Sequence, residues 1–195
     1  MGKNVAILAS GNGTNAENII RYFQKKERKD GADGVVLVVC NRQDANVFKR
    51  AENLHVPCIY IGKEKWATGE EVLKLLADYR VDFLVLAGFL ARVPDALLQA
   101  YPQRIVNIHP SLLPKFGGKG MYGNRVHQAV VEAGERESGI TIQYINEHYD
   151  EGDIITQFRC PVFPEDTAED VAARVHALEY EHYPQVIERL LAGTD

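Results

Sequence analysis

Asn107 and His109 are the residues whose types and spacing most clearly suggest chemistry in this sequence. They stand two positions apart behind the apolar pair Ile105-Val106, so on an extended strand their side chains leave the same face. An amide donor and a titratable imidazole then lie side by side at the end of a predicted strand. In open α/β sheets, ligands bind at that end of the strands. We therefore expect a functional site here. An asparagine and a histidine at this spacing in an arbitrary sequence would indicate only a surface loop.

Two prolines stiffen the turn that follows. The stretch reads Asn107-Ile108-His109-Pro110-Ser111-Leu112-Leu113-Pro114. Proline fixes its own φ and disfavours helix at the residue before it. The amide and imidazole should therefore be presented by a rigid turn, in which Ser111 is a turn residue and not a nucleophile.

A carboxylate is available from far along the chain. Asp150 lies in the polar turn Tyr149-Asp150-Glu151-Gly152-Asp153, between two predicted strands. Beside His109 it would favour the imidazolium and raise its pKa. Imidazolium, amide and carboxylate together suit attack on a carbonyl, since fixed donors meet the negative charge that grows on oxygen. The residues alone leave open whether Asp150 reaches His109 or belongs to an acidic surface turn.

A glycine-rich turn follows the first predicted strand. Gly11-x-Gly13-x-x-Ala16 fits the loose dinucleotide fingerprint, and a helix starting at Thr14 offers free N–H groups to an anion. A phosphate at Gly13, Thr14 and Asn15 is one interpretation, and a tight turn that binds nothing is the other. A dinucleotide would want an acid after the second strand, where this chain reads Cys40-Asn41-Arg42. Thr14 with Glu17 also matches a capping box.

Strand and helix patterns alternate along the rest of the chain. The predicted strands are 5–9, 35–39, 57–61, 83–87, 104–108, 140–145 and one through 154–158; the predicted helices start at Thr14 and cover about 44–54, 70–79, 94–100 and 125–133, with a last one capped by Asp166 or Thr167 and kinked or restarted at Pro184. This order predicts a Rossmann-like α/β fold. We expect a mostly parallel twisted sheet with helices on both faces and a C-terminal β-hairpin plus helix. Residues 1–195 would form one domain, with a nucleotide-binding half of about 1–100 and a catalytic half of about 101–195.

Composition narrows the function classes. The chain has 195 residues, 46% apolar residues and a formal net charge of −5, which argues against a partner with a phosphate backbone such as nucleic acid. No apolar run approaches the roughly 20 residues of a membrane helix, and the start shows no signal peptide. Three scattered cysteines without a Cys-x-x-Cys motif indicate reduced thiols in a cytoplasmic protein. The histidine spacings predict no metal site.

With these pieces in place, the chain resembles the folate-dependent formyltransferases, and among them the glycinamide ribonucleotide formyltransferases of purine biosynthesis. The resemblance runs over almost the whole length. It rests on Ser10-Gly11-Asn12-Gly13-Thr14-Asn15, Leu86-Ala87-Gly88-Phe89, Asn107 through Pro114, the Asp150-x-Gly152 turn and Ala173-Arg174-Val175. Together, in this order and at these separations, the motifs are highly specific.

The resemblance implies transfer of a formyl group from the co-substrate 10-formyltetrahydrofolate to the amine of 5-phosphoribosylglycinamide. It makes His109 the general acid, Asn107 the residue that polarises the formyl oxygen, and Asp150 the carboxylate that raises the His109 pKa. The implied ribonucleotide contacts are Gly13, Thr14, Asn15, Glu179 and His176; the implied folate contacts are Leu90, Ala91, Arg92, Val93 and Asn107. A segment from about 144 to 150 would close over the pterin. The implied partners are small molecules only, bound by a monomer or weak homodimer.

Three departures from the family pattern leave points open. Gly117-Gly118 and Met121-Tyr122-Gly123-Asn124 replace a proline-glycine and a histidine, so the order of the loop Phe116–Gly123 is undetermined. Glu151 stands where a small residue is common and adds a charge beside Asp150. The basic residue for the folate carboxylates is Lys63, Lys65 or neither.

Three alternatives remain distinguishable. A methionyl-tRNA formyltransferase would add a C-terminal domain and a basic surface. A formyltetrahydrofolate deformylase, which is a hydrolase, would add an N-terminal regulatory domain ahead of the first strand. A non-catalytic dinucleotide-binding Rossmann module would bind NAD(P) and show no folate-dependent activity.

Overall fold

The computed structural model of the chain describes residues 2–26, 33–148 and 150–193. The turn expected at Gly31-Ala32-Asp33-Gly34 lies partly outside these residues, and so does Tyr149 of the acidic turn.

Seven strands form the sheet. They are β1 (Asn4–Ala9), β2 (Gly34–Cys40), β3 (Cys58–Tyr60), β4 (Phe83–Leu86), β5 (Ile105–His109), β6 (Glu137–Tyr144) and β7 (Ile154–Pro161), and their order across the sheet is β3-β2-β1-β4-β5-β6-β7. β1 pairs in parallel with β2 and β4, and β2 pairs in parallel with β3. β6 and β7 form an antiparallel hairpin. The predicted fold class, a mostly parallel sheet with a C-terminal hairpin and helix, is confirmed.

Seven helices are described. They are α1 (Thr14–Lys25), α2 (Val47–Asn53), α3 (Lys63–Thr68), α4 (Glu70–Asp78), α5 (Asp95–Ala100), α6 (Asn124–Glu132) and α7 (Ala168–Ala192). The sequence did not predict α3, which is only six residues long and too short to show a helical period. α7 continues through Pro184, so the expected restart does not occur. Thr167 caps α7 as predicted, since its hydroxyl accepts a hydrogen bond from Asp170 N.

The chain divides into two compact units. Unit 1 contains Met1–Val106 with Pro184–Asp195, and unit 2 contains Asn107–Tyr183. In unit 1 the β1 residues from Val5 to Ala9 are fully buried, as expected of a strand inside a parallel sheet. In unit 2, Ile140 and Ile142 of β6 are fully buried. The single domain with halves meeting near residue 100 stays a prediction.

The described residues contain no helix that is both long and apolar enough to cross a membrane. In the same part of the chain, no group of three or more His, Cys, Asp or Glu side chains is arranged to hold a metal ion. Cys40, Cys58 and Cys160 are free thiols, and burial raises the pKa of Cys58 to about 12.

Candidate active site

β5 positions the first two candidate residues. The strand ends at His109, one residue later than predicted, so both Asn107 and His109 belong to it. Asn107 is half-buried and His109 is 4% exposed. The imidazole therefore has protein groups around it on most sides.

Each ring nitrogen of His109 faces an acceptor. Nε2 lies 2.8 Å from the backbone oxygen of Phe116. Nδ1 lies 3.5 Å from Oδ1 of Asp150, an ion-pair separation longer than an ordinary hydrogen bond. A carbonyl and a carboxylate can only accept, so a proton on either ring nitrogen would point toward an acceptor. Sequence reasoning left the approach of Asp150 to His109 open, and the fold of unit 2 provides it.

The loop between β6 and β7 carries Asp150. Asp150 has φ +56, in the left-handed region that aspartate tolerates better than most residues. Tyr144 N donates to Asp153 O at 2.9 Å and closes the turn. A Cβ on Gly152 would lie 1.8 Å from Tyr144 O, so only glycine fits there. The turn geometry thus depends on a residue without a side chain.

Two further groups hold the Asp150 carboxylate. Gly118 N donates to Oδ2 at 2.8 Å, and Gln143 Nε2 donates to Oδ1 at 3.2 Å. A Cβ on Gly117 would lie 2.4 Å from Leu113 Cδ2 and 3.3 Å from Asp150 Cβ. Gly117 therefore leaves the room that the loop needs beside the carboxylate, and Gly118, the next residue, allows the φ of +94 found there.

Hydrogen bonds tie down the turn that follows His109. Ser111 Oγ donates to Lys115 O at 2.7 Å, which makes it the turn residue predicted from the sequence. Thr141 Oγ1 donates to Ser111 O at 2.7 Å and accepts from Leu113 N at 3.0 Å. β6 thereby fixes the loop that carries Phe116 O to the histidine.

The glycine turn of unit 1 is shaped for close approach. Gly13 has φ +76, and a Cβ there would lie 2.5 Å from Val47 Cγ2. Arg50 Nε donates to Asn12 O at 2.8 Å, and its guanidinium also pairs with Glu17. These contacts hold the loop that leads into Thr14 and Asn15 at the start of α1.

α1 begins at Thr14 as predicted, but the predicted capping box is wrong. No side-chain hydrogen bond caps the helix. The Glu17 carboxylate pairs instead with Arg21 and Arg50, and these hydrogen bonds lower its pKa. Charged donors bind a carboxylate more strongly than a backbone N–H does, which accounts for the difference.

The segment Leu90–Val93 follows β4 in unit 1. Leu90 N donates to Ser10 Oγ at 2.9 Å, and Arg92 O accepts from Trp66 Nε1 at 2.8 Å. Leu90 is 45% exposed, whereas Val93 is buried. The two hydrogen bonds give the segment a defined backbone.

Lys63 and Lys65 are the two lysines considered for the folate carboxylates. Lys65 pairs with Glu71 at 2.8 Å, and Lys63 begins α3.

Glu179 and His176 meet on α7 in unit 2. His176 Nδ1 lies 2.8 Å from Glu179 Oε2, and this hydrogen bond raises the pKa of His176. Glu179 is 4% exposed. His127 of α6 is buried with its ring 5.9 Å from that of His176, and burial lowers its pKa. The sequence did not single out His127.

The candidate residues fall into two groups. Unit 2 holds Asn107, His109, Asp150, His176 and Glu179; unit 1 holds Gly13, Thr14, Asn15, Leu90, Ala91, Arg92 and Val93. The structure brings His109 to Asp150 and His176 to Glu179. The sequence did not predict that Gln143 binds the Asp150 carboxylate. The one available signal was that Thr141 and Gln143 alternate with apolar residues along β6.

The family comparison matches residues 3–187 of the chain to the model described as "Formyl transferase". A phosphoribosylglycinamide formyltransferase of Bacillus subtilis is 38% identical over 193 residues, which are 97% of this chain and 95% of that protein. A chloroplastic enzyme of the same name from Arabidopsis thaliana is 41% identical over 95% of this chain, which spans only 64% of that protein.

A crystal structure of phosphoribosylglycinamide formyltransferase from Bacillus halodurans has a TM-score of 0.86 and 36% identity, covering 99% of this chain and 97% of that one. The matched span includes β5, the acidic turn and most of α7. The chain therefore belongs to the formyl transferase family.

Proposed function

We propose that this chain transfers a formyl group from 10-formyltetrahydrofolate to the amine of 5-phosphoribosylglycinamide, the formyltransferase step of purine synthesis. The observation that carries the proposal is the position of His109, a buried imidazole between Phe116 O and the Asp150 carboxylate. Similarity to enzymes of this name over nearly the whole chain supports the choice of substrates.

Charge development during transfer matches the groups present. The amine nitrogen attacks the formyl carbon with its lone pair, and the carbonyl π pair moves onto the formyl oxygen. The side-chain amide of Asn107 donates a hydrogen bond to that oxygen. The protonated form of His109 stabilises the negative charge on it. Asp150 lies against the other side of the imidazole and orients it.

Proton transfer completes the exchange. When the bond between the formyl carbon and N10 of the folate breaks, its electron pair returns to N10. His109 supplies the proton there from Nε2, which requires that nitrogen to give up its contact with Phe116 O. The attacking nitrogen releases one proton, which restores the imidazolium. Protons and bonds therefore balance over one turnover without any further reagent.

The remaining contacts are part of the proposal. Gly13, Thr14 and Asn15 would bind the substrate phosphate, because they lie at the N-terminus of α1, where the helix dipole and the backbone N–H direction favour an anion. Glu179 and His176 would bind the ribose hydroxyls. Leu90, Ala91, Arg92 and Val93 would supply backbone groups to the pterin. Folate would bind without any metal.

We also propose a cytoplasmic enzyme acting as a monomer or weak homodimer. Its three free thiols suit a reducing compartment. Cell fractionation would test the cytoplasmic location. Sedimentation of the purified chain at several concentrations would test the oligomeric state.

The activity test mixes the purified chain with glycinamide ribonucleotide and 10-formyltetrahydrofolate and follows release of tetrahydrofolate. We expect release only when the ribonucleotide is present, together with formylglycinamide ribonucleotide as the product. Equal release without the ribonucleotide would identify a hydrolase and overturn the proposal. Tight NAD(P) binding without any folate turnover would indicate the dinucleotide-binding alternative.

A further inference from the structure

Gln143 is buried beside the candidate catalytic pair and has no assigned role. The residue is fully buried on β6, and its Nε2 donates to Asp150 Oδ1 at 3.2 Å. This is the same carboxylate oxygen that faces His109 Nδ1 at 3.5 Å. One amide donor and one imidazole thus converge on a single oxygen atom.

The other end of the Gln143 amide has no partner within the described part of the chain. Its Oε1 is buried and accepts no hydrogen bond from the described residues. The reverse orientation would set Oε1 against Asp150 Oδ1 at about the same 3.2 Å separation, and two acceptors repel. The carboxylate therefore determines which way the amide points.

The unpaired Oε1 bears on the role of the Gln143 side chain. A buried polar atom without a partner destabilises a fold, and an apolar side chain of similar length would avoid that cost. The position nevertheless carries an amide whose donor end meets Asp150. Stability does not account for this residue, whereas orientation of the carboxylate does.

The strand places this donor in register with the turn after His109. Thr141 and Gln143 are two residues apart on β6 and share one face of the strand. Thr141 binds the backbone of Ser111 and Leu113, while Gln143 binds Asp150. One strand face thus fixes both the loop after the imidazole and the carboxylate opposite it.

We infer that Gln143 is a positioning residue, which holds Asp150 Oδ1 toward His109 by a neutral amide hydrogen bond. The inference rests on the proposed function for its kinetic consequence and on this structure for its geometric one. A neutral donor orients the carboxylate without cancelling its charge, so the charge stays available to the imidazolium.

Two substitutions of Gln143 by side chains of similar length distinguish a role in orienting the Asp150 carboxylate from a role in packing. Gln143→Met removes the donor and the unpaired acceptor together. We expect an unchanged or higher Tm, a longer Asp150–His109 distance in a crystal structure, and a kcat roughly 10- to 100-fold lower with little change in KM. Gln143→Glu keeps the shape but sets an acceptor against Asp150, and we expect a larger loss of kcat.

Gln157→Met is the matched comparison, because Gln157 Nε2 donates to Leu113 O and Thr141 Oγ1 and not to Asp150. We expect this variant to lower Tm and to leave the Asp150–His109 distance unchanged. The opposite response of the two glutamines is a result that a purely structural role for Gln143 would not produce.

The inference is overturned if Gln143→Met lowers Tm while the carboxylate stays in place and kcat is retained. Wild-type kcat in Gln143→Glu would overturn it too. A wild-type chain that transfers no formyl group would contradict the proposed function alone, since the Tm and distance measurements on the variants still decide the role of Gln143.

Discussion

Asp150 Oδ1 lies 3.5 Å from His109 Nδ1, and the two residues come from different parts of unit 2. His109 ends β5, whereas Asp150 occupies the turn between β6 and β7. The carboxylate is also bound by Gly118 N and Gln143 Nε2, so it does not depend on the imidazole for its orientation. A carboxylate fixed in advance is what electrostatic stabilisation of a developing charge requires.

Replacing His109 tests the proposed acid. His109→Ala should lower kcat by about 10²–10³-fold, because acid catalysis and charge stabilisation are both lost. Circular dichroism and Tm should show a folded protein. His55→Asn is the control, since His55 is an exposed residue with φ +56 that asparagine adopts readily. Full turnover in a folded His109→Ala protein would remove His109 from the mechanism.

Replacing Asp150 tests the charge without changing the backbone. Asp150→Asn keeps the shape, and asparagine tolerates φ +56 as well as aspartate does. We expect kcat to fall by roughly 10²-fold with Tm and ribonucleotide KM near the wild-type values. Asp150→Ala should in addition lower the free energy of unfolding by about 1 kcal/mol, because alanine tolerates this backbone conformation poorly. Unaltered turnover in Asp150→Asn would show that the charge is dispensable.

Gly13 tests the proposed phosphate loop. Gly13→Ala places a Cβ 2.5 Å from Val47 Cγ2 at φ +76, so the loop must shift. We expect a higher KM for the ribonucleotide with little change in kcat, measured by steady-state kinetics. Gly11→Ala provides a stability comparison, because its Cβ would meet nothing within 4 Å. A wild-type KM in Gly13→Ala would place the phosphate elsewhere.

The His176–Glu179 pair predicts a pH-dependent stability. The hydrogen bond to Glu179 raises the pKa of His176 above its ordinary value of 6.5. The stabilisation is therefore complete below pH 6.5 and is lost as the pH rises through the raised pKa. In urea unfolding from about pH 5.5 to about pH 9, the free-energy advantage of wild type over His176→Asn should shrink as the pH rises. A constant difference across this range would contradict the pairing.

His127 acts with the opposite sign and is present in both proteins of that comparison. Burial lowers its pKa, so the folded state favours the neutral ring, and stability falls as the pH drops below 6.5. The wild-type curve alone would mix the two effects. The difference between the two proteins removes the part of the His127 effect that comes from burial, which is the larger cause, and keeps only the smaller charge interaction between the two histidines.

Much of the fold followed from the sequence because its signals are local. The buried run of β1 and the apolar period of α1 depend on neighbouring residues only, and both elements lie where they were predicted. The capping box at Thr14 and Glu17 failed because the Glu17 carboxylate binds Arg21 of the same helix and Arg50 of α2. Of the two outcomes predicted at Pro184, the restart is wrong because α7 continues to Ala192, and the kink stays a prediction.

In the candidate site, too, some features have a local sequence signal and others do not. Asn107 and His109 could be recognised from their spacing on one strand. The approach of Asp150 depends on the pairing of β6 with β7 and on the turn at Gly152, which no local pattern specifies. Phe116 contributes only a backbone oxygen, so its residue type carries no signal for the contact with His109.

The backbone oxygen of Phe116 has a consequence for access to the imidazole. Phe116 holds φ +55, a conformation that phenylalanine adopts at a cost, and in it the carbonyl covers His109 Nε2. Any group that is to bind Nε2 must first displace this carbonyl oxygen. Access to the ring nitrogen is therefore coupled to the backbone conformation of residue 116.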